Sequence, residues 1–186
     1  MAQYNGYRVV PHNTYDAFKN ATINNGWNVD YSYGNQCWDL CSLCYWQYGD
    51  TLYTGPQGRA KECWTVSRQR NEQSPFYAVY GKENIKRGDI VVWNGNSQYP
   101  TGHIAFADED YNGTNTLRTF GQIPSKHGIN GNASVDNLSL SLFLGIFRNR
   151  NWQTKPPEPI SPLDEKKKKK GFPWAVAWSN WKGYRH

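Results

Sequence analysis

Apolar positions recur at helical spacing in the first third of the chain and crowd into short runs broken by turn residues from residue 88 onward. Residues 13–25 predict a short helix, capped by Asn13 or Thr14 and ended by Gly26. Residues 37–48 place Cys37, Cys41, Cys44 and Tyr48 at i, i+4, i+7 and i+11, one face of a second helix that Gly49 stops. A further helix is expected over residues 59–70. The pattern then changes. Asp-Ile-Val-Val-Trp after Gly88, His-Ile-Ala-Phe-Ala from His103, Thr116–Phe120 and Leu138–Phe147 are short strand runs separated by turn signals. Helices followed by antiparallel strands predict an α+β domain over residues 1–150.

The chain has no internal repeat, but its character shifts near residue 150. Four prolines fall within residues 156–162, five lysines run from Lys166 to Lys170, and Phe172, Trp174, Trp178, Trp181 and Tyr184 follow. Residues 151–170 are therefore expected to form an extended Pro/Lys-rich linker, and residues 171–186 an aromatic C-terminal segment.

Leu, Ile, Val and Phe make up about 18% of the 186 residues, just under the ~20% below which highly charged chains tend to be disordered. Nine Trp and thirteen Tyr supply the missing apolar surface, so a folded domain is expected. The formal charge is +6, yet residues 151–186 alone carry eight Lys or Arg against three Asp or Glu. The body of the chain is thus nearly neutral, and overall basicity says little about what it acts on. No apolar run reaches signal-peptide or membrane-span length, so neither is expected. The four cysteines, Cys37, Cys41, Cys44 and Cys63, are then expected to be reduced. Their spacing does not match the paired Cys-x2-Cys knuckles of structural zinc sites.

Two stretches carry chemistry. Gly26–Leu40 places Cys37 after a Gly-Asn-Gln loop, at the start of the predicted helix. Unpaired N–H groups and the dipole at a helix N-terminus stabilise a thiolate, which suits a nucleophile. The plainer reading makes Cys37, like Cys41 and Cys44, a small buried apolar residue. Second, His103 follows Gly102 at the head of a strand, where a neutral imidazole could accept a thiol proton and return it to a leaving amine. A lone histidine there is more often a surface or core residue.

Taken together, Gln36-Cys-Trp-Asp-Leu40, Gly88-Asp-Ile-Val-Val-Trp93 and Gly102-His-Ile-Ala105 resemble the CHAP family of cysteine, histidine-dependent amidohydrolases and peptidases. The resemblance covers roughly residues 26–148. It implies a papain-like α+β fold and hydrolysis of peptidoglycan amide bonds, as endopeptidase or amidase, in phage lysis or phage entry. It makes Cys37 the nucleophile and His103 the base, with the Cys37 N–H and the Gln36 side chain holding the oxyanion. Gln122 takes the place of the residue that orients the histidine, while Phe120 stands where an acid is common. Asp108 and Glu109 are fallbacks, expected at the surface beside a turn.

The loop before the cysteine resembles the calcium loop of some phage members. It places Asn28, Asp30, Ser32, Gly34 and Asp39 at positions 1, 3, 5, 7 and 12, where a structural Ca2+ would brace the nucleophile. No organic cofactor is implied. The expected partner is bacterial peptidoglycan, with the C-terminal tail contacting anionic wall polymers or other virion proteins, and no nucleic acid. The expected setting is the host cytoplasm before release to the wall, or the virion tail. The competing reading is a virion tail structural or wall-binding protein that keeps the fold with little activity.

Overall fold

The computed structural model describes residues 11–97, 99–122 and 131–152, together with the backbone of two paired two-residue strands, β1 (Gln3–Tyr4) and β2 (Tyr7–Arg8). The linker and aromatic segment expected over residues 151–186 lie outside the described residues from Gln153 onward.

The first predicted helix is α1 (Tyr15–Thr22), and Thr14 is its cap: the Thr14 hydroxyl accepts from the Ala17 N–H at 3.1 Å. It ends earlier than Gly26 because Asn24 takes the left-handed conformation (φ 64°) and donates its N–H to Ala133 O. Gly26 has a different reason to be glycine. A Cβ there would sit 2.1 Å from the Asn35 side chain across the loop.

The second helix, α2 (Cys37–Trp46), is buried on almost every side: Leu40, Cys41, Ser42, Leu43, Cys44 and Tyr45 have no exposed surface. It is the central helix of the core rather than an amphipathic surface helix. The helix expected over residues 59–70 is two single turns, α3 (Glu62–Thr65) and α4 (Arg68–Asn71). The chain breaks between them where Ser67 leaves helical geometry and gives its hydroxyl to Thr54 O at 2.7 Å.

Six strands form one antiparallel sheet in the order β3-β8-β4-β5-β6-β7. These are β3 (Phe76–Val79), β4 (Ile90–Trp93), β5 (His103–Ala107), β6 (Thr116–Gly121), β7 (Ser134–Ser139) and β8 (Phe143–Asn149). The run predicted as one strand over 138–147 is split between β7 and β8. The Ser139 hydroxyl accepts the Ser141 N–H and turns the chain inside an unbroken Leu/Ser alternation. Strand β3 is too short to stand out in sequence. Its Phe76 is recruited by stacking on Tyr45 with ring centroids 3.8 Å apart.

One face of the sheet, with Val92, Ile104, Phe106, Phe120 and Phe147, packs on α1 and α2. The other, with Val91, Trp93, Ala105, Ala107 and Leu117, forms a second core within the curl of the sheet. Trp93 of β4 donates its indole N–H to Ser139 O, at the end of β7 three strands away, which registers that curl.

Asp108, expected at the surface, is buried at the end of β5. It accepts from the Tyr15 hydroxyl (3.0 Å) and Lys19 Nζ (2.6 Å), and pairs with Arg118 at 3.2 Å. Its side chain is 3% exposed, which such company permits. The pairing ties α1 to the β5–β6 turn, so Asp108 is a structural residue.

Gly145 of β8 lies against the Trp64 ring, and a Cβ there would come within 2.1 Å of it. Gly145→Ala should therefore destabilise the fold by about 1–3 kcal/mol, read as a lower denaturant midpoint at unchanged m-value.

Candidate active site

The segment between α1 and α2 has no regular secondary structure, so its peptide groups need other partners. Gln122, fully buried just after β6, supplies three: Oε1 accepts from Trp27 N (2.6 Å), and Nε2 donates to Trp27 O (2.9 Å) and Gln36 O (2.7 Å). Asp39, also fully buried, accepts from Val29 N at 2.8 Å and reaches back to Gln36 N at 2.7 Å, closing the N-terminus of α2. The residue directly before the nucleophile is thus held through its N–H by Asp39 and through its carbonyl by Gln122.

This assigns Gln122 a role other than the expected one. Both of its N–H donors are spent on backbone carbonyls, and no hydrogen bond joins it to His103. It positions the loop before Cys37 rather than the imidazole. Phe120, two residues earlier, points into the helix-side core and packs on Phe106.

Cys37 and His103 meet at one place. The backbone N–H groups of Ile104, the residue after His103, of Trp38 and of Cys37 itself lie near enough to the sulfur to favour its thiolate. Burial pushes the thiol up to about 11 despite these donors, and Asp39 adds a smaller push in the same direction. Burial likewise pushes His103 down to about 4. Both shifts favour uncharged forms, so at neutral pH the pair rests as thiol and neutral imidazole. That is the protonation state in which His103 can act as a base.

The imidazole is placed by packing. Its ring lies 5.8 Å from that of Trp93, its cross-strand neighbour, and Nε2 is buried with no hydrogen-bond partner among the described residues. Gly102 (φ 72°) must be glycine, because a Cβ would fall 2.5 Å from Trp93 O and 2.7 Å from Lys61 Cβ. Lys61 N also donates to Thr101 O at 3.1 Å, so the turn before α3 braces the approach to His103.

Both residues open on a cleft of about 980 Å³, whose lining also includes Gln36, Trp38, Thr54, Gln57 and Trp93. Gln36 donates Nε2 to Ser32 O at 3.2 Å, which anchors its amide beside the thiol. One cleft wall, Thr54–Gly58, depends on residues that sequence reasoning missed. The Glu62 carboxylate accepts the N–H groups of Gln57 and Arg59, each at 3.2 Å. Asn71, fully buried, takes the Tyr53 N–H and donates to Tyr53 O and Cys63 O. The available signal was Gly-Pro-x-Gly at 55–58, a tight turn that leaves N–H groups in want of an acceptor nearby.

The proposed calcium ligands come partly together. Asp30 lies close enough to Asp39 for its charge to add to the burial that pushes Asp39 up to about 6. Asp30 Oδ1 also accepts the Ser32 N–H at 2.8 Å. Tyr31 and Tyr33 adopt left-handed backbone (φ 58° each), followed by Gly34 (φ 75°). For a non-glycine residue that conformation costs roughly 1–2 kcal/mol. The donors are hard oxygens, the chemistry calcium takes. Among the described residues no group of three or more His, Cys, Asp or Glu side chains gathers, so an ion here would also need oxygens from Asn28, Ser32 and Gly34. Cys41, Cys44 and Cys63 are free thiols in the core.

A cysteine at the N-terminus of a buried helix and a histidine heading a strand, both opening on one cleft, make an arrangement in which a cysteine nucleophile could be served by a neighbouring base. The chain belongs to the CHAP domain family, whose model matches residues 25–122 and ends on Gln122. It is 28% identical over 105 residues to the D-alanyl-L-alanine endopeptidase of Streptococcus phage B30, a match covering 54% of this chain and 22% of that one. The chain thus spans about a fifth of the length of that curated relative. The structure of the wild-type endolysin LysIME-EF1 superposes with a TM-score of 0.55 at 20% identity, covering 76% of this chain and 66% of that one. The structure of Ly7917 gives 0.50 at 19% identity, covering 77% and 63%. These two likenesses show the fold.

Gln122→Leu removes three hydrogen bonds from buried peptide groups. It should lower stability by about 2–4 kcal/mol, with Gln122→Glu intermediate because it still accepts from Trp27. A residue that only oriented His103 would cost activity at unchanged melting temperature, so calorimetry beside an activity assay separates the two roles.

Proposed function

We propose that the chain is a peptidoglycan hydrolase that cleaves amide bonds of the bacterial wall peptide. The observation carrying this reading is that Cys37, opening α2, and His103, heading β5, line one shared cleft. In the reaction His103 takes the thiol proton as Sγ attacks the scissile carbonyl carbon. The Cys37 N–H and the Gln36 amide are the groups suited to hold the oxyanion. The imidazolium then gives its proton to the leaving amine. Water, deprotonated by the same imidazole, hydrolyses the thioester and regenerates the thiol.

Family membership and the phage endopeptidase relative support peptidoglycan as substrate, and they support a phage lysin acting in lysis or entry. No helix of the described residues is long and apolar enough to cross a membrane. A tail structural protein with little activity is the second reading, and the intact Cys37–His103 pair weighs against it. Attachment through residues 151–186, whether to anionic wall polymers or to virion proteins, is part of the proposal and rests on their basic and aromatic composition.

The wild type should clear suspensions of Gram-positive cell walls, with Cys37→Ala and His103→Ala at least about 10³-fold slower, on the scale of losing a nucleophile or its base. Equal clearing by wild type and Cys37→Ala, or none by either, would remove the hydrolase reading.

Calcium is proposed as a structural ion held by oxygens of Asn28, Asp30, Ser32 and Asp39 and by the Gly34 carbonyl. It would supply positive charge to two neighbouring carboxylates and brace the loop before Cys37. Millimolar calcium should raise the melting temperature of the wild type and leave Asp30→Ala unmoved. An unchanged wild-type melting temperature with calcium or chelator would exclude the ion.

A further inference from the structure

We propose that Tyr33 and Tyr99 form a glycan-contacting subsite at the mouth of the catalytic cleft, taking the neutral N-acetylated sugar chain that carries the wall peptides. The inference rests on the hydrolase reading and extends it from the peptide to the polymer bearing it. Tyr33 is 88% exposed and Tyr99 48% exposed, and both line the cleft. Among the described residues neither side chain has a ring contact or hydrogen-bond partner. Large aromatics left in water beside a reaction centre, rather than scattered over a surface, point to a ligand that covers them.

The backbone beneath each ring is held in place. Tyr33 sits in left-handed geometry between Ser32, whose carbonyl accepts from Gln36 Nε2, and Gly34. Tyr99 donates its N–H to Asn96 Oδ1 at 2.7 Å, and its carbonyl accepts from Gly102 N at 3.3 Å. Each ring stands in a segment that leads into one of the two site residues, Tyr33 four positions before Cys37 and Tyr99 four before His103. A tyrosine on a fixed backbone offers a broad amphipathic face and gives up only two side-chain torsions on binding.

The chemistry of the cleft lining selects the occupant. Gln57, Asn94 and Thr101 line the same cleft with amides and a hydroxyl. Among the described lining residues Asp30 alone carries a formal charge, and no Lys or Arg is present. A sugar ring presents C–H faces to aromatic rings and hydroxyl and acetamido groups to neutral polar side chains. The scissile peptide must reach the floor of the cleft at Cys37. The bulk of the polymer then leaves over the rim, where the two tyrosines stand.

The test uses the full chain with Cys37→Ala, so that binding is read without turnover. It is titrated by NMR with peptide-free glycan strands and, separately, with wall peptides freed of glycan. Tyr33→Ala combined with Tyr99→Ala should weaken glycan binding about tenfold, equivalent to about 1.4 kcal/mol, and leave peptide binding unchanged. Phe at both positions should retain most of the affinity. No glycan affinity with both tyrosines present, or affinity indifferent to the alanines, overturns the subsite. Loss of peptide affinity instead of glycan affinity overturns it too and assigns the rings to the peptide. A wild type that fails to clear walls bears on the hydrolase reading alone, because the glycan titration needs no cleavage.

Discussion

The buried amide of Gln122 is the interaction on which the site depends. Cys37 stands at the end of an irregular loop, and irregular backbone can be buried only if its peptide groups find partners. Gln122 offers one acceptor and two donors, and all three meet peptide groups on either side of that loop, at Trp27 and Gln36. Asp39 completes the arrangement from within α2 by taking the Gln36 and Val29 N–H groups. Between them the two side chains tie the end of β6, the loop and the helix into one unit. The position of Cys37 follows from that unit rather than from anything Cys37 contacts itself.

Burial also sets the chemistry of the pair. The same packing that fixes Cys37 and His103 removes water from them, and desolvation disfavours thiolate and imidazolium alike. The N–H groups of Ile104, Trp38 and Cys37 oppose this on the sulfur side without overcoming it. The resting site is therefore neutral. A neutral thiol is the less reactive form, so burial also guards the sulfur from adventitious reaction.

Much of this was legible in the chain. Cysteine spacing marked α2, the Gly-Asp-Ile-Val-Val-Trp and Gly-His-Ile-Ala runs marked β4 and β5, and the two catalytic candidates stood out because each sits at the start of an element. Where the structure departs from the sequence pattern, the cause is shared. A helix ending at Gly26 and unbroken runs over 59–70 and 138–147 follow from local propensity, while the actual roles of Gly26, Ser67 and Ser139 are set by Asn35, Thr54 and Ser141, met only after folding or through a hydroxyl turn. Asp108 looked exposed because a turn follows it, yet Lys19, Tyr15 and Arg118 converge on it from other elements.

The chain alone determined what is local and periodic: an α+β order of elements, a cysteine opening a helix, a histidine heading a strand, and a neutral body with a basic, aromatic end. These follow from hydrogen bonds and hydrophobic periodicity within a dozen residues. Tertiary structure decided which polar side chain serves which peptide group. Gln122 became a loop clamp rather than an orienter, and Glu62 and Asn71 became the supports of a cleft wall. A side-chain amide or carboxylate has no preferred partner in sequence, because its partner is whichever buried N–H or C=O the fold would otherwise leave unpaired.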